Sequence, residues 1–445
     1  MKVALVLGWY YPDGRGGTEA YVAALAAYLQ HAGHEVRVVA PEAGLEGPRA
    51  YAHDGVPVWR YGVPALPTRD EVRGSIAARG AEALHAWFAR ERPDIVHVHA
   101  FVTGLGLAEV RAARAAGARV FVTTHAARLG WICERGTMLQ GGIALCDGIA
   151  EPGKCAACVL PTRGVPGAVA AAVAALPAAA SAAVRHVLPG RASTMIGMPA
   201  LVRENLERQQ ALYAEIERFV VLTEWARRAV IANGAPRDLV VLNRLGAVPP
   251  RGGAKAPPSA APTVAPVTIG YIGRFDAVKG ADVLARAMAH LPRATPLRVV
   301  FRGPVGTPVE HAIVDELRSL AGGDPRVTFG EEVRREDMGD VLRSLDVLCC
   351  PSRTVEGGPT IAIEAQAVGT PVIGSAIGGL AELVIDGLDG RLVPPDDVAA
   401  LAGVLGAIAA DPAATVDRWR AELPAARTMD DVARDTLAMY DGSHR

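Results

Sequence analysis

Strand-like and helix-like runs alternate along almost the whole chain, and this rhythm constrains the fold more than any other feature. KVALVLG at the N-terminus is a short β-rich run, Thr18 to Ala32 has the helical period and stops at Gly33, and EVRVVA is a second strand. A helix is expected from Glu71 to Arg92, ended by Pro93, followed by DIVHVH, a helix running to Ala116 and Gly117, and the strand ARVFVTTH. RFVVLTEWARRAV repeats the strand–helix pattern and DLVVLNR adds a strand. Consecutive strands joined through helices build βαβ units, and these give a parallel sheet covered on both faces.

The rhythm is interrupted at Val248–Pro266, VPPRGGAKAPPSAAPTVAP, whose Pro, Ala and Gly lack periodicity and read as a linker. It then restarts with VTIGYIG, a helix over Ala281–Leu291, LRVVFRG, a helix over Val309–Ala321, RVTF, a helix to Leu345 and DVLCCPS. A helix after Pro359, the strand TPVIGS, a short helix at Gly379, the strand GRLVPP and helices over Asp396–Ala410 and Val416–Tyr440 complete it. The expected architecture is α/β: a doubly wound domain over 1–247 with a cysteine-bearing and helical insertion over about 130–215, a linker over 248–266, a second such domain over 267–425, and a C-terminal helix over 426–445 packing back on the first domain. Ligands of such sheets bind beyond the carboxyl ends of the strands. The groove between two such domains is therefore the expected site.

Composition narrows the function. A chain of 445 residues, half of them hydrophobic, folds into more than one core. A formal charge of -1 gives no basic excess for nucleic acid. The apolar run of MKVALVLGWYYP is broken at Gly8 and Pro12, unlike a signal peptide, and Pro166 and Pro177 interrupt the Ala-rich stretch from Gly164 to Ala183. A cytoplasmic location is expected, with the inner membrane face as a peripheral contact. The region from Gly164 to Arg228 is expected to be a helical hairpin, with Arg185, Arg191, Arg203 and Arg208 available to an anionic acceptor or lipid.

The most informative segment runs from Pro351 to Pro395. Glu356 and Glu364 are separated by seven residues, with Gly357 and Gly358 between them, and Pro359 suits the first position of a helix that continues through Thr360. A glycine-rich entry to a helix presents free N–H groups and the positive dipole end to a diphosphate. A carboxylate accepts two hydroxyl hydrogen bonds, as a ribose diol or a sugar requires.

With GGTEAYV (Gly16–Val22), GHEVRVV (Gly33–Val39), PDIVHVH (Pro93–His99), GRFDAVKG (Gly273–Gly280) and the Glu356/Glu364 pair, the chain resembles the retaining GT-B glycosyltransferases of family 4 over nearly its whole length. The resemblance implies that Glu364 binds the ribose and Glu356 the donor sugar. Arg274 and Lys279 would neutralise the diphosphate. Gly16, Gly17 and Gly303 would line the donor, and His125 would lie at the reacting centre with His99 beside it. The donor would be a UDP- or GDP-linked sugar, and the acceptor a saccharide, a lipid-linked sugar or a small molecule. No Asp-x-Asp pair stands in a suitable place, so no catalytic metal is expected. Two positions depart from the family pattern: Ala126 follows His125 where an acid is frequent, and Arg244 follows Asn243 where Gly is usual. A nucleotide-sugar epimerase of the same architecture and a non-catalytic nucleotide-sugar-binding scaffold are the alternatives.

Four of six cysteines, Cys133, Cys146, Cys155 and Cys158, are spaced Cys-x12-Cys-x8-Cys-x2-Cys. The closing Cys-x2-Cys is a metal-knuckle spacing, and four thiolates complete a tetrahedral site, so structural zinc is the first expectation, an iron–sulfur cluster the second, and free or paired thiols the third. The block also resembles a cysteine-bearing insertion in a subset of the same family.

Overall fold

The computed structural model describes residues 1–14, 16–74, 76–142, 144–185, 187–188, 190–248 and 263–443. Residues 249–262 of the expected linker lie outside them. The chain divides into two compact units, Met1–Arg244 with Asp430–Arg445, and Leu245–Met429.

The first unit carries β1 (Lys2–Val6), β2 (Glu35–Ala43), β3 (Arg49–His53), β4 (Val56–Val63), β5 (Ile95–Val98), β6 (Arg119–Thr123), the two-residue strands β7 (Leu139–Gln140) and β8 (Ala144–Leu145), β9 (Arg218–Val221) and β10 (Val240–Leu242). Its main sheet has the order β10-β9-β6-β5-β1-β2-β4-β3, parallel apart from the β3–β4 edge. The order reverses direction at β1 and β5, where Leu5 pairs with Val38 on one side and His97 on the other.

The hairpin β3–β4 was not among the strands expected. Its signal is present all the same: Asp54 and Gly55 have φ of 50° and 78°, the two left-handed residues of a type I′ turn. The helix expected from Glu71 to Arg92 is broken into Arg69–Arg73 and Glu82–Glu91. Gly74 ends the first piece in the left-handed region (φ 66°), and Glu71 turns back to take both the amide and the guanidinium of Arg79. A Cβ at Gly80 would stand 2.2 Å from the Gly62 carbonyl oxygen, so the chain passes there only as glycine.

The hairpin expected between Gly164 and Arg228 is instead a set of four helices, Gly167–Ala174, Ala178–Arg185, Gly190–Ile196 and Met198–Tyr213, before β9. Pro177 separates the first two, which meet at 110°. No single helix among the described residues is long and apolar enough to cross a membrane.

The second unit carries β11 (Val267–Ile272), β12 (Leu297–Arg302), β13 (Val327–Gly330), β14 (Val347–Cys350), β15 (Val372–Ser375) and β16 (Gly390–Val393), all parallel in the order β13-β12-β11-β14-β15-β16. Side chains of a strand alternate between faces. Ile269, Tyr271, Val347, Cys349 and Ile373 thus join a core with the helices Ala281–Ala289 and Val398–Ala410, while Ile272, Leu348 and Val372 join a second core with Ala362, Ala365 and Leu380. Each such side chain contributes about 1.5–3 kcal/mol on burial, which is why both faces must be covered. The long helix expected over Val416–Tyr440 is interrupted ahead of Pro424, and its last part, Met429–Tyr440, belongs almost wholly to the first unit.

Candidate functional site

In the second unit the strand order reverses between β11 and β14, the switch point at whose carboxyl ends a doubly wound sheet binds its ligands. The β11 loop holds Arg274 and Lys279, and the β14 loop holds Glu356. Asp276 accepts a hydrogen bond from the Val278 amide at 3.1 Å and closes the turn Ala277–Lys279. Gly280 follows at φ 72°, and a Cβ there would meet the Pro351 carbonyl oxygen at 1.9 Å. The two loops are also tied by Arg353. Its amide donates to the Val278 carbonyl at 2.8 Å, and its guanidinium grips both oxygens of Asp282 at 2.7 Å. Burial alone would raise the Asp282 carboxyl, but Arg353 holds it below its ordinary value.

This frame sets Lys279 Nζ 3.0 Å from Glu356 Oε1. The Glu356 carbonyl accepts the Gly379 amide at 2.9 Å, beside Gly378 at φ 54°. Glu364 lies on the helix Thr360–Ala367, and Arg335, in the segment after β13, donates from Nη1 to its two carboxylate oxygens at 2.8 and 2.9 Å. Burial raises the Glu364 carboxyl and Arg335 opposes that rise. Pro359 is the residue capping this helix and Thr360 its first member, one position later than expected. The Ala362 and Ile363 amides bond to the Pro359 carbonyl, and those of Thr360 and Ile361 have no acceptor within the helix. Gly357 and Gly358 lie in the loop before it, and a Cβ at Gly358 would meet Leu245 Cδ1 at 2.2 Å.

Gly303 has a packing role: a Cβ there would stand 1.9 Å from the Gly273 carbonyl oxygen, so glycine lets the β11 and β12 ends approach. The Arg274 side chain is exposed, and its carbonyl accepts the Tyr271 hydroxyl at 2.8 Å. Cys349 and Cys350 sit in β14, and burial drives the Cys350 thiol up to about 12.

In the first unit, three histidines gather at the carboxyl ends of β5 and β6, His97 within β5 and His99 and His125 just after the two strands. His97 is packed: its Nδ1 meets the Tyr440 hydroxyl at 2.6 Å and its Nε2 the Thr123 hydroxyl at 2.7 Å. His99 Nδ1 is 3.2 Å from His125 Nε2, and the Tyr21 ring lies against both at 5.6 and 4.8 Å. His99 Nε2 is buried without a hydrogen-bond partner among the described residues. Burial lowers His97 and His125 to about 3 and His99 well below its ordinary value, so at neutral pH all three are uncharged imidazoles.

Gly17 opens the helix Gly17–His31, and the Gly16 amide donates to Glu19 Oε2 at 3.0 Å. The amide of Gly16, one of the two glycines expected to line the donor, is thus held by a carboxylate of the same helix. Glu19 was not singled out from sequence, although an acid three residues after a helix cap is the capping-box signal. Arg335 carried no local signal, because its partner lies on another element.

Cys133, Cys146, Cys155 and Cys158 line one pocket. The Gly136, Gly148 and Gly141 amides point at the sulfurs of Cys133, Cys146 and Cys158 at 3.2, 3.5 and 3.3 Å. Burial pushes the Cys155 thiol up to about 11. Among the described residues no group of three or more His, Cys, Asp or Glu is disposed to hold a metal ion, so the four thiols share a pocket without forming a closed ligand set.

Two family models match. One described as "Glycosyl transferases group 1" covers residues 266–411, and one described as "Glycosyl transferase 4-like domain" covers residues 16–153. Among curated proteins, the D-inositol 3-phosphate glycosyltransferase of Xylanimonas cellulosilytica is 40% identical over 141 residues, 32% of this chain and 33% of that protein. That of Nocardia farcinica is 38% identical over 225 residues, 47% of this chain and 48% of that protein. The chain therefore spans between a third and about half the length of the curated relatives it matches. Among solved structures, sucrose-phosphate synthase from Thermosynechococcus elongatus has a TM-score of 0.63 at 21% identity, with 99% of each chain covered. Anabaena HepE in complex with UDP and glucose has a TM-score of 0.61 at 14% identity, with 99% of each chain covered. At these identities the likeness is one of fold.

Proposed function

This chain belongs to the group 1 glycosyl transferases, and from that premise we propose that it moves a sugar from a nucleotide-diphosphate donor to a hydroxylated acceptor, held at the β11–β14 crevice of the second unit. The observation that carries the reading is the pair of preset charge contacts there, Lys279 with Glu356 and Arg335 with Glu364. They stand at the strand ends where a doubly wound sheet binds its ligand. Glu364 offers two acceptor oxygens to the ribose diol, Glu356 does the same for the sugar, and Lys279, Arg274 and the first amides of the helix Thr360–Ala367 face a diphosphate.

In the proposed reaction the bond from the anomeric carbon to the diphosphate oxygen breaks. The acceptor oxygen bonds to that carbon on the same face, and the acceptor proton passes to the departing phosphate oxygen. Lys279 and Arg274 stabilise the negative charge that collects on the leaving group, a contribution that grows where water is excluded. No metal is required in this scheme. His99 and His125, being neutral, hydrogen-bond to ligand hydroxyls and carry no charge. The acceptor is a saccharide, a lipid-linked sugar or a small polyol, and the name of the curated relatives adds a phosphorylated cyclitol to those worth testing.

Titration of UDP and GDP into the protein by calorimetry tests the donor reading. Replacing Glu364 or Arg274 by Ala removes a hydrogen bond to a charged group, worth about 1.5–3 kcal/mol, or roughly 10- to 150-fold in affinity. Unchanged nucleotide binding in both variants would sink the assignment.

A further inference from the structure

The cysteine segment has little of its own to hold it together. Its strands β7 and β8 have two residues each, and a lone two-stranded hairpin is marginal in water. The helix Pro152–Val159 that follows packs Ala156 and Val159 against Ala170, Val173, Met198 and Leu201. Cys155 and Cys158, three positions apart, share another side of that helix. They line one pocket with Cys133, which precedes the hairpin, and Cys146, which follows it directly. The pocket measures about 30 Å³, far below the roughly 300 Å³ at which small-molecule sites begin. It suits a single ion.

Three of the four sulfurs are already met by backbone amides, Cys133 by Gly136, Cys158 by Gly141 and Cys146 by Gly148. An amide aimed at sulfur favours the thiolate, which is the form that binds a metal. Arg135 lines the same pocket. Its Nε donates to the Thr137 hydroxyl at 3.2 Å, but its Nη1 is buried without a hydrogen-bond partner among the described residues. A guanidinium keeps its charge, so this buried donor calls for an acceptor, best a negative one. Lys154 has no such need, being taken by Asp147 at 3.0 Å and Glu151 at 3.2 Å. Neutral thiols do not answer Arg135; metal-bound thiolates do. Cys146 and Cys158 now donate to Asp147 Oδ1 and the Leu139 carbonyl, each at 3.6 Å. These bonds use the thiol proton and hold each sulfur to its own neighbour, so the four line one pocket without closing on it.

We propose that this pocket closes on one zinc ion held by Cys133, Cys146, Cys155 and Cys158. Each thiol gives its proton to solvent, four sulfur–zinc bonds form, and the neutral thiols become a dianionic complex that the three amides and Arg135 stabilise. The ion ties the chain leaving β6, the hairpin and the helix Pro152–Val159 to one point, and so fixes the segment that follows His125. The site is structural and stands apart from the transferase reading.

The test is elemental analysis of the full-length reduced protein after loading with Zn²⁺ and removal of the excess, together with titration of Co²⁺ into chelator-stripped protein. The expected result is one zinc per chain and, with Co²⁺, the sulfur-to-metal charge-transfer and d–d absorption of a tetrahedral thiolate site. Cys146→Ser and Cys155→Ser should each abolish stoichiometric loading. Arg135→Met, which removes no ligand and so tests the site even where a cysteine variant fails to fold, should lower zinc affinity about tenfold or more in chelator competition. Circular dichroism reports whether each variant is folded. Stripping the zinc should speed hydrogen exchange over β7, β8 and the helix Pro152–Val159 while β11 to β16 keep their protection. Zinc well below one per chain, loading undiminished in both cysteine variants, a Co²⁺ spectrum without sulfur charge transfer, or iron with acid-labile sulfide in place of zinc would each overturn the proposal.

Discussion

Glu364 separates stability from binding at the scale of one residue. Its carboxylate is buried and costly to desolvate, while the guanidinium opposing it is partly exposed and stays hydrated when the carboxylate is neutralised. Glu364→Gln should therefore change the melting temperature little while lowering nucleotide affinity about tenfold or more, since an amide offers one acceptor where the diol needs two. Differential scanning fluorimetry beside calorimetry reads both; a large loss of stability with unchanged affinity would contradict this. The histidines make a pH prediction. His97 and His125 titrate near 3 in the folded chain against an ordinary 6.5. Between those values the unfolded chain binds more protons, so stability is intact above about pH 6.5 and falls as the pH drops toward 3. Melting temperatures from pH 7.5 to 5 should decline, and His97→Gln should flatten part of that slope. Glu356 and Glu364 stood out in the sequence because two glycines and a helix start lie between them, and Lys279 through the family resemblance. Arg335 and Glu19 were not, since one depends on a distant partner and the other reads as an ordinary helix acid.

At the scale of elements, glycine geometry decides what may change. Gly280 joins a left-handed φ of 72° to a backbone approach that leaves no room for a Cβ. Gly280→Ala should cost about 3 kcal/mol from strain and overpacking together and should detach Lys279 from Glu356, lowering nucleotide affinity as well. Chemical denaturation and calorimetry on one sample measure the two. In the cysteine segment, Cys155 with its thiol pushed up to about 11 should alkylate slowly at pH 8 and faster as pH rises. A metal held there would keep thiolates, so alkylation that speeds up on adding chelator is the signature that would establish the zinc or iron–sulfur expectation. The β3–β4 hairpin and the breaks at Gly74 and Pro424 were readable from turn chemistry. The two breaks were missed because helical periodicity was carried across glycine and proline, and the hairpin because its segment was assigned no element.

At the scale of the whole molecule, the first unit is closed by the last helix of the chain. The Tyr440 hydroxyl meets His97 at 2.6 Å inside the core, and Arg119 donates to the Tyr440 carbonyl. Tyr440→Phe leaves His97 Nδ1 buried without that partner, which costs about 1–3 kcal/mol. Ending the chain after Met429 should expose β5 and β6 to hydrogen exchange while β11 to β16 keep their protection. Uniform loss across both units would contradict that division.

The sequence by itself determined the two α/β units and the segments that bear the charged loops, because strand and helix periods and helix-entry glycines are local properties of the chain. The tertiary structure decided which charges meet. It brought Arg335 to Glu364 and folded Tyr440 onto His97. Such pairings join residues tens to hundreds of positions apart, and only packing fixes the distances on which burial and electrostatics depend.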